Sequence, residues 1–143
     1  MSITVCTARL SYGGPGRLDI TRSNALEHRN AGEVANGEVF APDVDLFRAV
    51  RTGRMVVDLY LERYREQLER ANHSIVKACL EGLYGDPLVG VCFCAPRVRV
   101  LTCHRTVWRE FMVSQGAIDG RELPEEEQGP VRRVKPSRQG RLF

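Results

Sequence analysis

The chain has 143 residues, of which 43% are hydrophobic and 27% charged, and its formal net charge is +3. This composition is that of a single globular domain rather than of a disordered or membrane protein. No window approaches the roughly 20 consecutive apolar residues of a membrane-spanning helix, and residues 1–4 lack the features of a secretory signal. We therefore expect a cytoplasmic protein with no membrane partner, and the small net charge argues against strong nonspecific binding to nucleic acid.

The cysteines point to a reducing compartment. They number five, namely Cys6, Cys79, Cys92, Cys94 and Cys103. An odd number does not form the evenly paired framework of a small secreted protein, so we expect reduced thiols. Cys6 lies in an apolar run and Cys79 near the end of a helical pattern, so both are predicted to be small buried hydrophobic residues.

The first predicted elements are extended. Residues 3–10 are rich in β-forming residues and predict a strand, which a glycine-rich loop follows over residues 11–16. Residues 17–21 predict a second short strand or an extended arm. Residues 24–42 have little periodicity and predict irregular structure.

Four charged residues lie on or beside these two extended segments: Arg9, Arg17, Asp19 and Arg22. At a common strand edge they would line a crevice and hold a phosphate or a ribose. The loop between them lacks the glycine and lysine signature of a known phosphate-binding loop, so ordinary surface charge is the alternative interpretation.

The middle of the chain predicts an amphipathic helix that begins near residue 56. Its apolar stripe recurs every three or four residues, at Val57, Leu61, Tyr64, Leu68, Ala71 and Ile75. The opposite face is charged and is predicted to be solvated. Gly82 and Gly85 are predicted to end this helix.

A strand and a second helix follow. Residues 88–94 form a compact apolar run, which predicts a buried strand, and a helix is predicted from about Cys103 to a cap at Gly116. Its inner face carries Val107, Phe111 and Met112. The alternation of strands and helices predicts an α/β fold with a small, open, mainly parallel sheet flanked by helices, in which ligands bind outside the carboxyl ends of the strands.

The chain is predicted to contain one folded domain, residues 1–123. Residues 124–143 are rich in proline, glycine and basic residues and have few apolar ones. Such a segment buries too little surface to order itself, so it is predicted to be a flexible basic tail.

A zinc site is one interpretation of the later cysteines. Cys92 and Cys94 project from the same face of a strand, and the chain returns to a thiol at Cys103 beside His104. These three thiols are candidate zinc ligands. Their spacing departs from paired C-x-x-C motifs, however, and adjacent Cys103 and His104 are poorly placed to bind one ion together. The alternative interpretation, which the sequence favours to the same degree, is that these cysteines only fill a packed interior.

Anion recognition is the other functional interpretation. Cys103, His104 and Arg105 stand at the predicted start of a helix that follows a strand. Backbone amides, the helix dipole and the Arg105 guanidinium favour an anion there, and the same field lowers the pKa of a thiol. Cys103 is thus a candidate nucleophile, His104 a candidate acid or base, and Arg105 a candidate phosphate ligand.

Residues 88–112, with an apolar strand, C-x-C, the Cys103-His104-Arg105 step and an amphipathic helix, resemble the bacterial and phage proteins of the domain-of-unknown-function family numbered 488 and their small phage relatives. The segments TARLSY and RLDIT near the N-terminus are similar to those phage proteins as well. The resemblance implies an α/β fold with a site at the Cys-His-Arg step, and it implies no particular reaction.

The last five residues resemble the peptides by which bacterial proteins dock on the replication sliding clamp. Leu142 and Phe143 are two adjacent apolar anchors at the end of a polar tail, and Gln139 is placed to hydrogen-bond at the rim of a pocket. An unremarkable terminus is the alternative.

Two functions therefore stay open. In one, the chain is a small enzyme or binding domain that takes a phosphate-bearing ligand, a nucleotide or a nucleic acid, at the Cys-His-Arg step. In the other, it is a noncatalytic accessory protein with structural or zinc-binding cysteines, tethered to the clamp by its tail.

Overall fold

The computed structural model describes residues 2–9, 12–20, 39–71, 73–92 and 104–128. Its strands are Thr4–Arg9 (β1), Arg17–Asp19 (β2), Leu88–Cys92 (β3) and Ile118–Glu122 (β4). Its helices are Val44–Arg51 (α1), Val57–Glu69 (α2), His73–Leu80 (α3), His104–Ser114 (α4) and Glu125–Gln128 (α5).

The four strands form one parallel sheet in the order β2-β3-β1-β4. The first strand of the chain therefore lies inside the sheet, between strands that come much later. Helices pack around this sheet, which confirms the predicted small α/β fold.

The two faces of the sheet are covered differently. Val5, Leu18 and Leu88 belong to the main core with the helices, and we call their side of the sheet the helix face. The alternate residues Cys6, Ala8, Val89 and Val91 form a second buried cluster with Tyr12, and we call their side the loop face. This alternation is the ordinary two-residue period of a strand, here buried on both sides.

Two helices supply most of the aromatic core on the helix face. In α2 the buried residues Tyr60, Tyr64 and Leu68 are four positions apart and share one side of the helix. In α4 the indole of Trp108 packs directly onto Gly90 of β3, where only a residue without Cβ leaves room. Gly116 has a φ of 116° after the end of α4, in agreement with the cap predicted there.

The prediction of one long helix from residue 56 to Gly82 is wrong in one respect, because this segment contains two helices, α2 and α3. The amide of Arg70 donates to the carbonyl of Gln67 and that of Ala71 to the carbonyl of Leu68, so the chain tightens into a turn after α2. A new helix then begins at His73. The shared apolar spacing of the two segments hid this break.

The cysteine predictions can be compared at three positions. Cys6 on β1, Cys79 on α3 and Cys92 on β3 are all buried. Cys6 and Cys79 were predicted to be buried hydrophobic residues, and the structure confirms this. Burial raises the pKa of the Cys6 thiol and raises that of Cys79 to about 11.

The chain beyond β4 is partly described. Residues 125–128 form α5, and the Gln128 side chain accepts a hydrogen bond from the Arg9 amide (2.9 Å) and donates to the Leu123 carbonyl (2.7 Å). The predicted boundary at residue 123 and the flexible tail stay predictions. Across the described ranges, no helix combines the length and the apolar character needed to cross a bilayer.

Candidate functional site

The carboxyl ends of the four strands lie along one edge of the sheet. Because all strands are parallel, their last residues meet there, namely Arg9, Asp19, Cys92 and Glu122. Helix α4 also starts at this edge. In open parallel sheets this is the edge at which ligands bind.

His104 fastens the start of α4 to the end of β2. Its Nε2 lies 3.0 Å from the carbonyl oxygen of Ile20, the residue that follows β2, and its ring meets that of Tyr64 edge to face. Since a carbonyl only accepts, Nε2 carries the hydrogen and Nδ1 is the unprotonated nitrogen.

The pKa of His104 is lowered from its ordinary value of 6.5 to about 4. Desolvation of the ring is the main cause. The hydrogen bond to the Ile20 carbonyl acts in the opposite direction, and the positive charge of Arg105 lowers the pKa further. The imidazole is therefore neutral at pH 7.

Arg105 makes a two-pronged ion pair with Glu122, the last residue of β4. Its Nε lies 3.1 Å from Oε1 and its Nη2 lies 2.7 Å from Oε2. The remaining Nη1 lies 3.5 Å from the sulfur of Cys92. The side chain of Arg105 is 5% exposed and that of Glu122 is 23% exposed, so the carboxylate is the partner nearer to solvent.

The pair belongs to a longer polar network between α4 and the sheet. The Thr7 hydroxyl donates to Oε1 of Glu122 and accepts a hydrogen bond of 3.0 Å from Nη1 of Arg109. Arg109 lies one helical turn after Arg105, and its Nε is 3.2 Å from Oδ1 of Asp119. The network thus contains two guanidinium and two carboxylate groups, whose formal charges cancel.

The predicted ligand residues near the N-terminus are divided between the two faces. Arg17 and Asp19 flank Leu18, which is on the helix face, so they project from the loop face, and both are buried. Nε of Arg17 donates to the carbonyl of Tyr12 (2.6 Å) and holds the loop against the sheet. Arg9 has the same strand parity as Thr7 and lies on the helix face, at the end of β1.

Five predicted site residues thus lie at one edge of the sheet: Arg9, Cys92, His104 and Arg105 on the helix face, and Asp19 on the loop face. Arg17 is at the opposite end of its strand. Six predicted positions lie outside the described residues, namely Arg22, Cys94, Cys103, Gln139, Leu142 and Phe143. The zinc prediction depends on Cys94 and Cys103 and the clamp prediction on Gln139, Leu142 and Phe143, so both lie outside the described residues. Within the described parts no group of three or more metal-binding side chains comes together.

Four residues of this network were not predicted from the sequence: Thr7, Arg109, Asp119 and Glu122. The signal for Glu122 was its position after the Gly116 cap, where an apolar Ala117-Ile118 step begins β4. Recognition of that strand places Glu122 at the carboxyl edge opposite α4. Comparisons of the chain with models of protein families, with curated proteins and with solved structures found no match.

Proposed function

We propose that the carboxyl edge of the sheet, at the start of α4, binds a phosphate-bearing ligand, either a nucleotide or a nucleic acid, in a cytoplasmic protein. The observation that carries the proposal is the meeting at this edge of four parallel strand ends with a helix start that bears Arg105. A helix start presents backbone amides with no partner within the helix and a positive dipole end. Phosphate is the ligand that these groups suit best.

The fixed orientation of the side chains at this edge also supports the proposed function. His104 and Arg105 are both held in place, one by the Ile20 carbonyl and the other by Glu122. Groups that are already oriented lose little conformational entropy when a ligand binds. A preorganised helix start therefore favours tight recognition of a small anion.

An enzymatic form of the proposal makes Cys103, directly before α4, the nucleophile. The pKa of about 4 leaves His104 without a proton to donate from an imidazolium at pH 7. In this form the ring orients α4, and its Nδ1 is the atom that accepts a hydrogen bond. We also propose that the chain is related to the domain-of-unknown-function family numbered 488. The succession of strand β3 and helix α4, at the residues that carry the resemblance, supports this relationship.

The test is a binding titration with nucleoside triphosphates and with oligonucleotides that carry or lack a 5′-phosphate. Arg105→Ala should weaken the phosphate-bearing ligands by about 1.5 to 3 kcal/mol, the range of a charged hydrogen bond. Arg63→Ala is the matched control, because Arg63 is an exposed arginine on α2 that pairs with Glu66. Circular dichroism confirms that each variant is folded. Equal affinity of wild type and Arg105→Ala at low salt contradicts the proposal.

A noncatalytic accessory protein is the second candidate, and the burial of Cys6, Cys79 and Cys92 favours it. In this case the buried thiols are packing residues, or Cys92, Cys94 and Cys103 are zinc ligands, and the tail tethers the chain to the sliding clamp. A pull-down with the clamp that compares wild type with Leu142→Ala plus Phe143→Ala tests the tether. Retention of both proteins to the same extent removes the proposed tether to the clamp.

A further inference from the structure

The fork of Arg105 already holds an anionic group from the chain itself. Two parallel hydrogen bonds join the guanidinium to the two oxygens of Glu122, at 3.1 and 2.7 Å. A guanidinium binds carboxylate and phosphate in this same two-pronged geometry. Glu122 thus stands where a phosphate oxygen pair would fit.

We infer that Glu122 is an internal competitor for the ligand, whose phosphate must displace this carboxylate from Arg105 in order to bind. The inference rests on the proposed function of the same edge. With Glu122 in place, the charges of Arg105 and Arg109 are balanced by those of Glu122 and Asp119. The Arg105 guanidinium can present its two-pronged side to an incoming anion only after Glu122 has left.

The location of Glu122 suits a group that moves. It ends β4, an edge strand that pairs only with β1 among the described strands, and its pairing is irregular between Val5 and Thr7. The preceding residue, Arg121, has a φ of 64°, which is an unfavourable conformation for a residue with a side chain. The Leu123 amide donates to the Thr7 carbonyl (2.8 Å), so the backbone beyond Glu122 stays attached to β1. The Glu122 side chain can therefore swing away from Arg105 without breaking a backbone hydrogen bond of the sheet.

The hydroxyl of Thr7 is suited to take part in the exchange. It now donates to Oε1 of Glu122 while it accepts a hydrogen bond from Arg109. When the carboxylate leaves, the same hydroxyl can donate to a phosphate oxygen in its place. The incoming anion thus recovers the hydrogen bonds that Glu122 gives up.

The test is a calorimetric titration of the full chain with inorganic pyrophosphate, using wild type, Glu122→Gln and Glu66→Gln. Glu122→Gln should bind at least about tenfold more tightly than wild type, because the guanidinium loses a charged competitor. Glu66→Gln is the control, since it makes the same change in an arginine-glutamate pair on the exposed side of α2. Its affinity should equal that of wild type. Adding Arg105→Ala to Glu122→Gln should abolish the gain.

Other outcomes separate the inference from the proposed function. Equal or weaker binding by Glu122→Gln, when wild type binds pyrophosphate, overturns the inference and leaves the proposed function standing. If neither protein binds, both are overturned. If Glu122→Gln binds pyrophosphate and wild type shows no measurable binding, the inference is supported, because the carboxylate then blocks the ligand completely. If Glu122→Gln does not fold, Glu122→Asp is used, which keeps the charge but draws the carboxylate back by one methylene, and its affinity should exceed that of wild type.

Discussion

The six-membered ring of the Trp108 indole on α4 packs against Gly90 at the centre of β3. A Cβ atom added to Gly90 would lie 2.5 Å from Cζ3 and 2.7 Å from Cε3 of that ring. Both residues are buried, so neither the helix nor the strand has space to yield. This contact fixes the distance between α4 and the sheet, and therefore the position of the candidate site.

Gly90→Ala should lower the free energy of unfolding by about 1 to 3 kcal/mol, because one added methyl overpacks the core. Urea unfolding measures the change. Combining it with Trp108→Leu should cost less than the sum of the two single substitutions, since the smaller side chain makes room. Unchanged stability in Gly90→Ala contradicts the close packing.

Arg105→Ala should destabilise the protein by about 2 to 4 kcal/mol, because it leaves the carboxylate of Glu122 partly buried without its guanidinium. The double variant Arg105→Ala plus Glu122→Ala should recover part of that loss, since no charge is then left behind. Chemical unfolding of the three proteins gives the coupling energy. Strictly additive effects would show that the pair contributes nothing.

Stability should fall as the pH is lowered from about 6.5 toward 4. In this window the unfolded chain protonates His104, whereas the native chain, with a pKa of about 4, does not. The contribution is fully present above pH 6.5, and about 3 to 4 kcal/mol is lost below pH 4, at about 1.4 kcal/mol per pKa unit. Thermal unfolding across this range measures it.

Two histidine variants serve as controls for this pH dependence. His104→Gln should flatten it, because the amide keeps a donor for the Ile20 carbonyl but does not titrate. His73→Gln makes the same change at an exposed residue on α3 and should leave the dependence intact. A slope that survives in His104→Gln assigns the effect to other groups.

Limited alkylation at neutral pH should leave Cys6 and Cys79 unmodified in the native protein. Burial shields both thiols and raises their pKa values, so little thiolate is present. Cys103 is expected to react first, because it precedes a helix start. Peptide mass spectrometry identifies the labelled positions. Slow labelling of all cysteines that needs denaturant would contradict the expectation for Cys103.

The elements with strong local patterns were predictable from the sequence. The apolar run of β3 indicates a buried strand, and with the helix that follows it implies a parallel sheet. Phe111 and Met112 of α4 are buried as predicted, whereas Val107 is only half-buried and the fully buried Trp108 was not assigned to the inner face. Helix α1 was not predicted, although acidic Asp45 near its start and basic Arg48 and Arg51 in its last turn are favourable to a helix.

Strand β4 was not predictable in the same way. Its sequence, IDGRE, is mostly polar and contains a glycine, and it is a strand because β1 offers it a backbone partner. The ion pair of Arg105 and Glu122 depends on that strand. Arg105 and Glu122 are 17 residues apart and meet only because the sheet places the end of β4 beside the start of α4. The prediction of an anion at Arg105 considered the helix start alone, so it did not include the neighbouring carboxylate of Glu122.

The place of β1 between β3 and β4 has a kinetic consequence. Among the described strands, residues 4–9 pair with residues 88–92 and 118–122, far along the chain, so the sheet has a high contact order. During synthesis the first strand leaves the ribosome long before either partner exists. Its apolar residues therefore stay unpaired until residues 118–122 have been synthesised. During this interval they are exposed and are available for binding by a chaperone.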